Sequence, residues 1–239
     1  MTDDAAERVR EIRARARLVT SFLAEYRASL KFQLVRIEVA GRVYFLGPDR
    51  FRSETRIADE EIITVRKGDA VQRYIPKRKE IWKYSFGDLP RTEPINFGIA
   101  DLRDSFFAVD ETELSYEGMA DLEGVPTWVF SSRVKNWATQ GLLDTRKGFS
   151  IRYMPKDPGV RLKLHVGSET GLLRRMTGTG KDGQELFQAN YSVKETNLPL
   201  DESLFTMDES RADYKVIDIA ETFLTSLNPD AADAPPSIN

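Results

Sequence analysis

Tyr26-Arg-Ala-Ser-Leu-Lys-Phe-Gln-Leu34 is the stretch that decides how this chain is read. Tyr26, Ala28, Leu30, Phe32 and Leu34 fall on one side of an extended backbone; Arg27, Ser29, Lys31 and Gln33 fall on the other. Successive side chains of a strand point to opposite faces, so the alternation predicts a half-buried antiparallel strand. Upstream the period is helical. Ala5, Val9, Ile12, Ala16, Val19 and Leu23 recur at steps of three and four, which predicts a surface helix with one apolar stripe. Asp4 stands where a cap is expected, and Glu7 completes a capping-box-like pattern.

Downstream the two-residue period persists. Ala40-Gly41 leads into a strand at 42–46, Gly47-Pro48-Asp49 breaks it, and Phe51, Ser53, Thr55 and Ile57 then alternate with charged residues. Strands at 61–66, 70–75 and 80–85 are separated by Lys67-Gly68-Asp69 and by Pro76-Lys77-Arg78-Lys79, the rhythm of a meander. Ile99, Leu102, Phe106 and Val109 predict a short helix, and 135–147 a loop or short helix. Strand patterns resume at 112–119, 125–134, 149–153, 160–166, 172–178 and 184–195, with Lys181-Asp182-Gly183 as a tight turn. A helical turn at 201–205, a short strand at 214–217 and a terminal helix with Ile219, Phe223 and Leu227 precede a tail from Pro229.

These elements predict an α+β fold: a strongly curved antiparallel sheet, an incomplete β-barrel of about 10–11 strands, with helices covering the concave face. One domain is expected over residues 1–228, followed by a disordered tail at 229–239.

Composition excludes several functions. With 35 Lys+Arg against 38 Asp+Glu the net charge is −3, so the cationic surplus that nucleic acid demands is missing. The longest stretch without a charged residue runs from Gly124 to Ser132, far short of the roughly 20 apolar residues of a membrane-spanning helix. There is no cysteine, which removes disulfides, thiolate metal sites, thiol nucleophiles and a lipid-modified cysteine. Residues 1–17 carry arginines and acids without an apolar core, unlike a signal peptide. The chain is thus expected to be cytoplasmic if Met1 is its native start, or periplasmic if a signal peptide was removed.

Catalytic constellations are scarce. His165 is the single histidine and shares its strand phase with Arg161 and Lys163, the solvent face. One histidine and no cysteine cannot build the usual zinc sites, and no cofactor motif is present. Gly178-Thr-Gly180-Lys181 has Arg175 where a phosphate loop needs glycine. The acids Asp101 and Asp104, and Asp59-Glu60-Glu61, sit where turns and helix starts carry solvated carboxylates. The expectation is therefore a protein that is not an enzyme.

Large apolar side chains on strands are plentiful instead. Phe32, Leu34, Phe45, Phe51, Trp82, Trp128, Phe130, Met176, Phe187 and Tyr191 are the candidate lining of an apolar, ligand-binding cavity. The same pattern serves a solid core equally well. Arg73, Lys77, Arg78 and Lys79 form the densest cationic cluster, a candidate contact with a membrane or partner.

The stretch Gly41-Arg-Val-Tyr-Phe-Leu-Gly47-Pro48-Asp49-Arg50-Phe51-Arg52 resembles the early segment of the outer-membrane lipoprotein carriers, the LolA-like superfamily. Ile62-Ile63-Thr64-Val65-Arg66-Lys67-Gly68-Asp69, followed by Tyr74-Ile75-Pro76, resembles that family's next hairpin. Asn197-Leu-Pro-Leu-Asp201-Glu-Ser-Leu-Phe205 resembles its ending before the last strand. Phe51 matches the family's aromatic position after the proline; where the family has an arginine before the proline, this chain has Gly47. Periplasmic lipid-binding regulators and mycobacterial-type lipid-binding lipoproteins share the fold. The resemblance implies a half-barrel closed by helices and a soluble carrier sheltering acyl chains of a lipid or lipoprotein. A membrane-bound donor or acceptor protein would be its partner. A lipid-sensing regulatory protein of the same fold is the alternative, and an enzyme using cavity carboxylates the third.

Energetics bound such a role. Each buried CH₂ contributes about 0.8 kcal/mol, so a 16-carbon chain supplies roughly 12 kcal/mol before costs. Three chains would exceed the roughly 18–21 kcal/mol ceiling of non-covalent binding. A carrier that releases its cargo must therefore bury it partially or spend binding energy on opening.

Overall fold

The computed structural model describes residues 3–32, 35–47, 49–85, 102–103, 111–133, 159–206 and 213–218. The first apolar stripe forms helix α1 (Asp3–Arg17), which buries Ala5, Val9, Ile12 and Ala16. Asp3 and Asp4 in its first turn and Arg15 and Arg17 in its last complement the helix dipole. The helix stops at Arg17, so the expected continuation to Val19 and Leu23 is not helical. Ser21–Phe32 is strand β1 instead, and Leu18 is left 74% exposed. Partners on both sides of β1 supply more hydrogen bonds than one further helical turn could.

The other strands are β2 (Val35–Leu46), β3 (Arg50–Ile57), β4 (Glu60–Lys67), β5 (Ala70–Ile75), β6 (Glu80–Ser85), β7 (Ser115–Leu122), β8 (Val125–Arg133), β9 (Arg161–Gly167), β10 (Leu173–Thr179), β11 (Glu185–Thr196) and β12 (Lys215–Asp218). They form one open sheet in the order β12-β6-β5-β4-β3-β2-β1-β11-β10-β9-β8-β7. It has 12 strands among the described residues, more than expected, and the sheet does not close. Two meanders, β1–β6 and β7–β11, join where β1 pairs antiparallel with β11. The last strand departs from the all-antiparallel expectation, since β12 runs parallel to β6.

The inner face of this sheet carries the main core, which α1 joins through Val9 and Ile12. Helix α1 docks at the β7–β10 end, where Arg15 lies 4.9 Å from the Trp128 ring centre and donates to the Ser168 carbonyl. Gly171 permits that contact. Its φ is +69°, and a Cβ there would overlap the Ile12 carbonyl oxygen. From the segment expected as a mid-chain helix, Leu102 and Arg103 are described, as a turn. Leu102 accepts from the Leu173 amide (2.9 Å) and Arg103 lies 3.7 Å from the Phe45 ring centre, so these two residues bridge β10 to β2 over the inner face. The described residues thus hold one α-helix against the sheet rather than the several expected. The remainder of the 99–109 segment, the segments at 135–147 and 149–153, the terminal helix and the tail lie outside the described residues.

The outer face of β3–β6 has a smaller cover. The 3₁₀ turn Glu202–Phe205 packs on β3 and β4, burying Phe205, and Arg52 donates to the Leu204 carbonyl. The Tyr214 ring lies 4.8 Å from that of Tyr74.

Candidate functional site

Directly opposed residues of paired strands project to the same face, so the register fixes which side chains meet. One line runs across seven strands from β8 to β3: Phe130, Leu164, Met176, Ala189, Ala28, Val39 and Ile57. Every member is apolar. All are buried except Ile57, which is partly buried. The neighbouring line pairs Tyr191, Tyr26, Gly41 and Thr55. Gly41 is required there, because a Cβ would sit 2.7 Å from the Tyr26 ring. Tyr26 reaches over it to form a 2.6 Å hydroxyl hydrogen bond with Thr55. Burial pushes the Tyr26 phenol up to about 12, with the bond to Thr55 opposing, and raises the Tyr191 phenol as well. Both stay neutral hydrogen-bonding groups at physiological pH.

The register places Phe45, Phe51, Trp128, Phe130, Met176, Phe187 and Tyr191 on this one inner face, and all seven are buried. Phe45 stacks on Phe22 at 5.2 Å, and Phe130 meets Tyr116 at 5.3 Å. Trp82 shares the face but stands apart on β6, with β4 and β5 between it and Phe51, and its indole N–H donates to Glu80 at 3.0 Å. Phe32 ends β1, and Leu34 lies outside the described residues. Emphasis on bulk missed the smaller members of the rows: Ala28, Val39, Leu162, Leu164, Val166 and Ala189. Their alternation was the available signal.

The basic cluster is engaged within the chain. Lys77 pairs with Asp59, Arg78 grips Glu60 through two bonds of 2.5 and 2.8 Å, and Lys79 pairs with Asp213 at 3.1 Å. Arg73 is not beside them: it lies in the inner-face line Ser53–Thr64–Arg73–Trp82 and donates to Thr64 at 3.4 Å. His165 is on the outer face as expected, but half-buried, with Nδ1 3.4 Å from the Thr127 hydroxyl. Burial, then nearby Arg175 and Lys163, lower its pKa against the pull of Glu117. Among the described residues no cluster of three His, Cys, Asp or Glu could hold a metal ion, and no helix is long and apolar enough to cross a membrane.

A groove of about 930 Å³ lies on the outer face, over the middle of β1–β3 and the start of β10, with the β7–β8 turn at Leu122–Val125 as its wall. Its lining mixes charged side chains with Leu122, Val125 and Val193, in contrast to the wholly apolar inner line.

No protein-family model matches the chain, and no curated protein matches it by sequence. Solved structures do match. An uncharacterized conserved protein from Thermus thermophilus has a TM-score of 0.55 at 15% identity, over 88% of this chain and 99% of that one. The lipoprotein LppX of Mycobacterium tuberculosis has a TM-score of 0.51 at 13% identity, over 84% and 99%. The fold of this chain is similar to that of both proteins. MucB also has a TM-score of 0.51, at 14% identity, over 90% of this chain and 66% of its own. At these identities the likeness is one of fold, and of the expected architecture the open, mostly antiparallel sheet is observed, with one α-helix against it among the described residues.

Proposed function

We propose that this LolA-like chain is a lipid- or lipoprotein-binding carrier, one domain over residues 1–228, that shelters acyl chains against the inner face of its half-barrel in the periplasm. The observation that carries the reading is the apolar line from Phe130 to Ile57, continuous across seven strands. Such a face offers an acyl chain dispersion contacts and no competing hydrogen-bond partners. Phe187 and Tyr191 flank Ala189 of the line and would clasp the chain, while Phe45 and Phe51 stand six residues along β2 and β3 from its Val39 and Ile57, and Trp82 stands apart on β6. Carriage of this kind needs no catalysis, only an acceptor of higher affinity, which a membrane-bound donor or acceptor protein would provide. The fold shared with the lipoprotein LppX and the sequence resemblance to lipoprotein carriers support it.

Native mass spectrometry of gently purified protein, paired with titration of a fluorescent fatty acid, tests the proposal. Co-purified lipid, or saturable uptake of the probe that Phe51→Asp abolishes while the thermal transition is retained, is the expected result. A lipid-free mass together with no uptake of the probe would overturn it.

A further inference from the structure

The groove on the outer face is a second site with the opposite chemistry. A line of opposed residues crosses it: Arg175 on β10, Asn190 on β11, Arg27 on β1, Ala40 on β2, Arg56 on β3 and Glu61 on β4. Arginines thus recur at every second strand. Strands lie about 4.8 Å apart, so successive guanidinium groups step by about 10 Å over a line of roughly 19 Å. The flanking charges are largely consumed. Glu25 is held by Lys194 at 3.2 Å and Arg42 at 3.6 Å, and Glu54 by Arg52 at 2.9 Å. Arg175 is tied to the wall residue Glu123 at 3.0 Å and to Asn190. Among the described residues neither Arg27 nor Arg56 has an ion-pair or hydrogen-bond partner, and both are exposed. Arg174, whose bulge position turns it into the groove lining, has a buried Nε with no partner. Glu61, directly opposite Arg56, and Glu25, which feels the charge of Arg27, offset part of the surplus.

We propose that this groove docks an extended acidic segment of a partner protein, laid across the strands with carboxylates on Arg27 and Arg56. A polyproline-II chain advances about 3.1 Å per residue with three residues per turn, so acidic side chains at every third position share one face about 9 Å apart, close to the 10 Å step. Charge-assisted hydrogen bonds from the arginine forks to carboxylates would give both orientation and attraction. The site lies on the opposite face from the acyl-chain surface, so the two readings stand or fall separately.

The test is fluorescence anisotropy of a dye-labelled peptide of repeated Glu-Ser-Ala units, with the Gln-Ser-Ala peptide as control. Binding of the acidic peptide alone is expected, weakening steeply as salt rises from about 50 to about 500 mM. The Arg27→Thr/Arg56→Thr double variant should lower its affinity at least tenfold, whereas Glu61→Lys should raise it several-fold at unchanged fold. Equal binding of the two peptides, or affinity indifferent to both variants, would overturn the proposal. So would binding of phosphatidylglycerol vesicles in place of the peptide with the same arginine dependence, since the groove would then serve a lipid surface.

Discussion

The inner face is two surfaces joined at β3. From β8 round to β2 its central rows are apolar, built of Phe130, Leu164, Met176, Ala189, Ala28 and Val39. From β3 to β6 the same face presents Ser53, Thr64 and Arg73 in one line and buries Glu80 beside Trp82. Tyr26 and Thr55 mark the seam with a hydroxyl hydrogen bond between β1 and β3. The contrast teaches that alternation sets the phase of a strand without setting what its inner face can do. The apolar half derives its stability from burial, which is non-directional and tolerates many ligand shapes. The β3–β6 wing adds to its own buried Val65, Val71, Ile75 and Ile81 a set of paired polar groups and ion pairs at its turns, and those demand particular geometry.

Deleting bulk from the apolar half is the severest test of this division. Phe130→Ala should cost about 3–5 kcal/mol in urea unfolding, because a fully buried ring leaves a cavity among packed neighbours. A loss under about 1 kcal/mol would mean that this half yields freely and is not the core. At the seam, Tyr26→Phe removes one hydroxyl and leaves Thr55 without its partner. A loss of about 1 kcal/mol is expected, with the two halves still unfolding in one transition; two separate transitions would show that the bond couples them.

On the wing, Arg78→Ala breaks the fork to Glu60, which is partly exposed. The expected loss is below about 1 kcal/mol and should shrink in high salt, as it does for surface pairs. A larger, salt-independent loss would assign the wing a buried electrostatic core. Smallest is a pH effect on the outer face. The folded pKa of His165 lies below its ordinary value of 6.5, so the unfolded chain binds the proton more tightly. Stability should therefore be complete above pH 6.5 and decline as pH falls through the folded pKa, and His165→Gln should flatten that slope in thermal melts.

Much of the site was legible in the chain itself. Phe45, Phe51, Trp128, Phe130, Met176, Phe187 and Tyr191 were legible as large apolar residues on strands, and the structure puts them on one face. The grouping of Trp82 with them needed register, which sets it on β6 beside Glu80, with two strands separating it from Phe51. The basic turn was visible, but its neutralisation by Asp59, Glu60 and Asp213 was not, because those acids come from other turns. The outer groove had no local signal, since Arg27, Arg56 and Arg175 are distant in sequence.

Sequence by itself determined which stretches are strands and which side chains of a strand share a face, because a two-residue period is a property of each strand's own backbone. Tertiary structure alone decided that β1 would lie between β2 and β11, that β12 would run parallel to β6, and that the inner face would gain its polar line Ser53–Thr64–Arg73 from β3 onward. Those outcomes depend on matching faces from distant parts of the chain, a free energy that no local window contains.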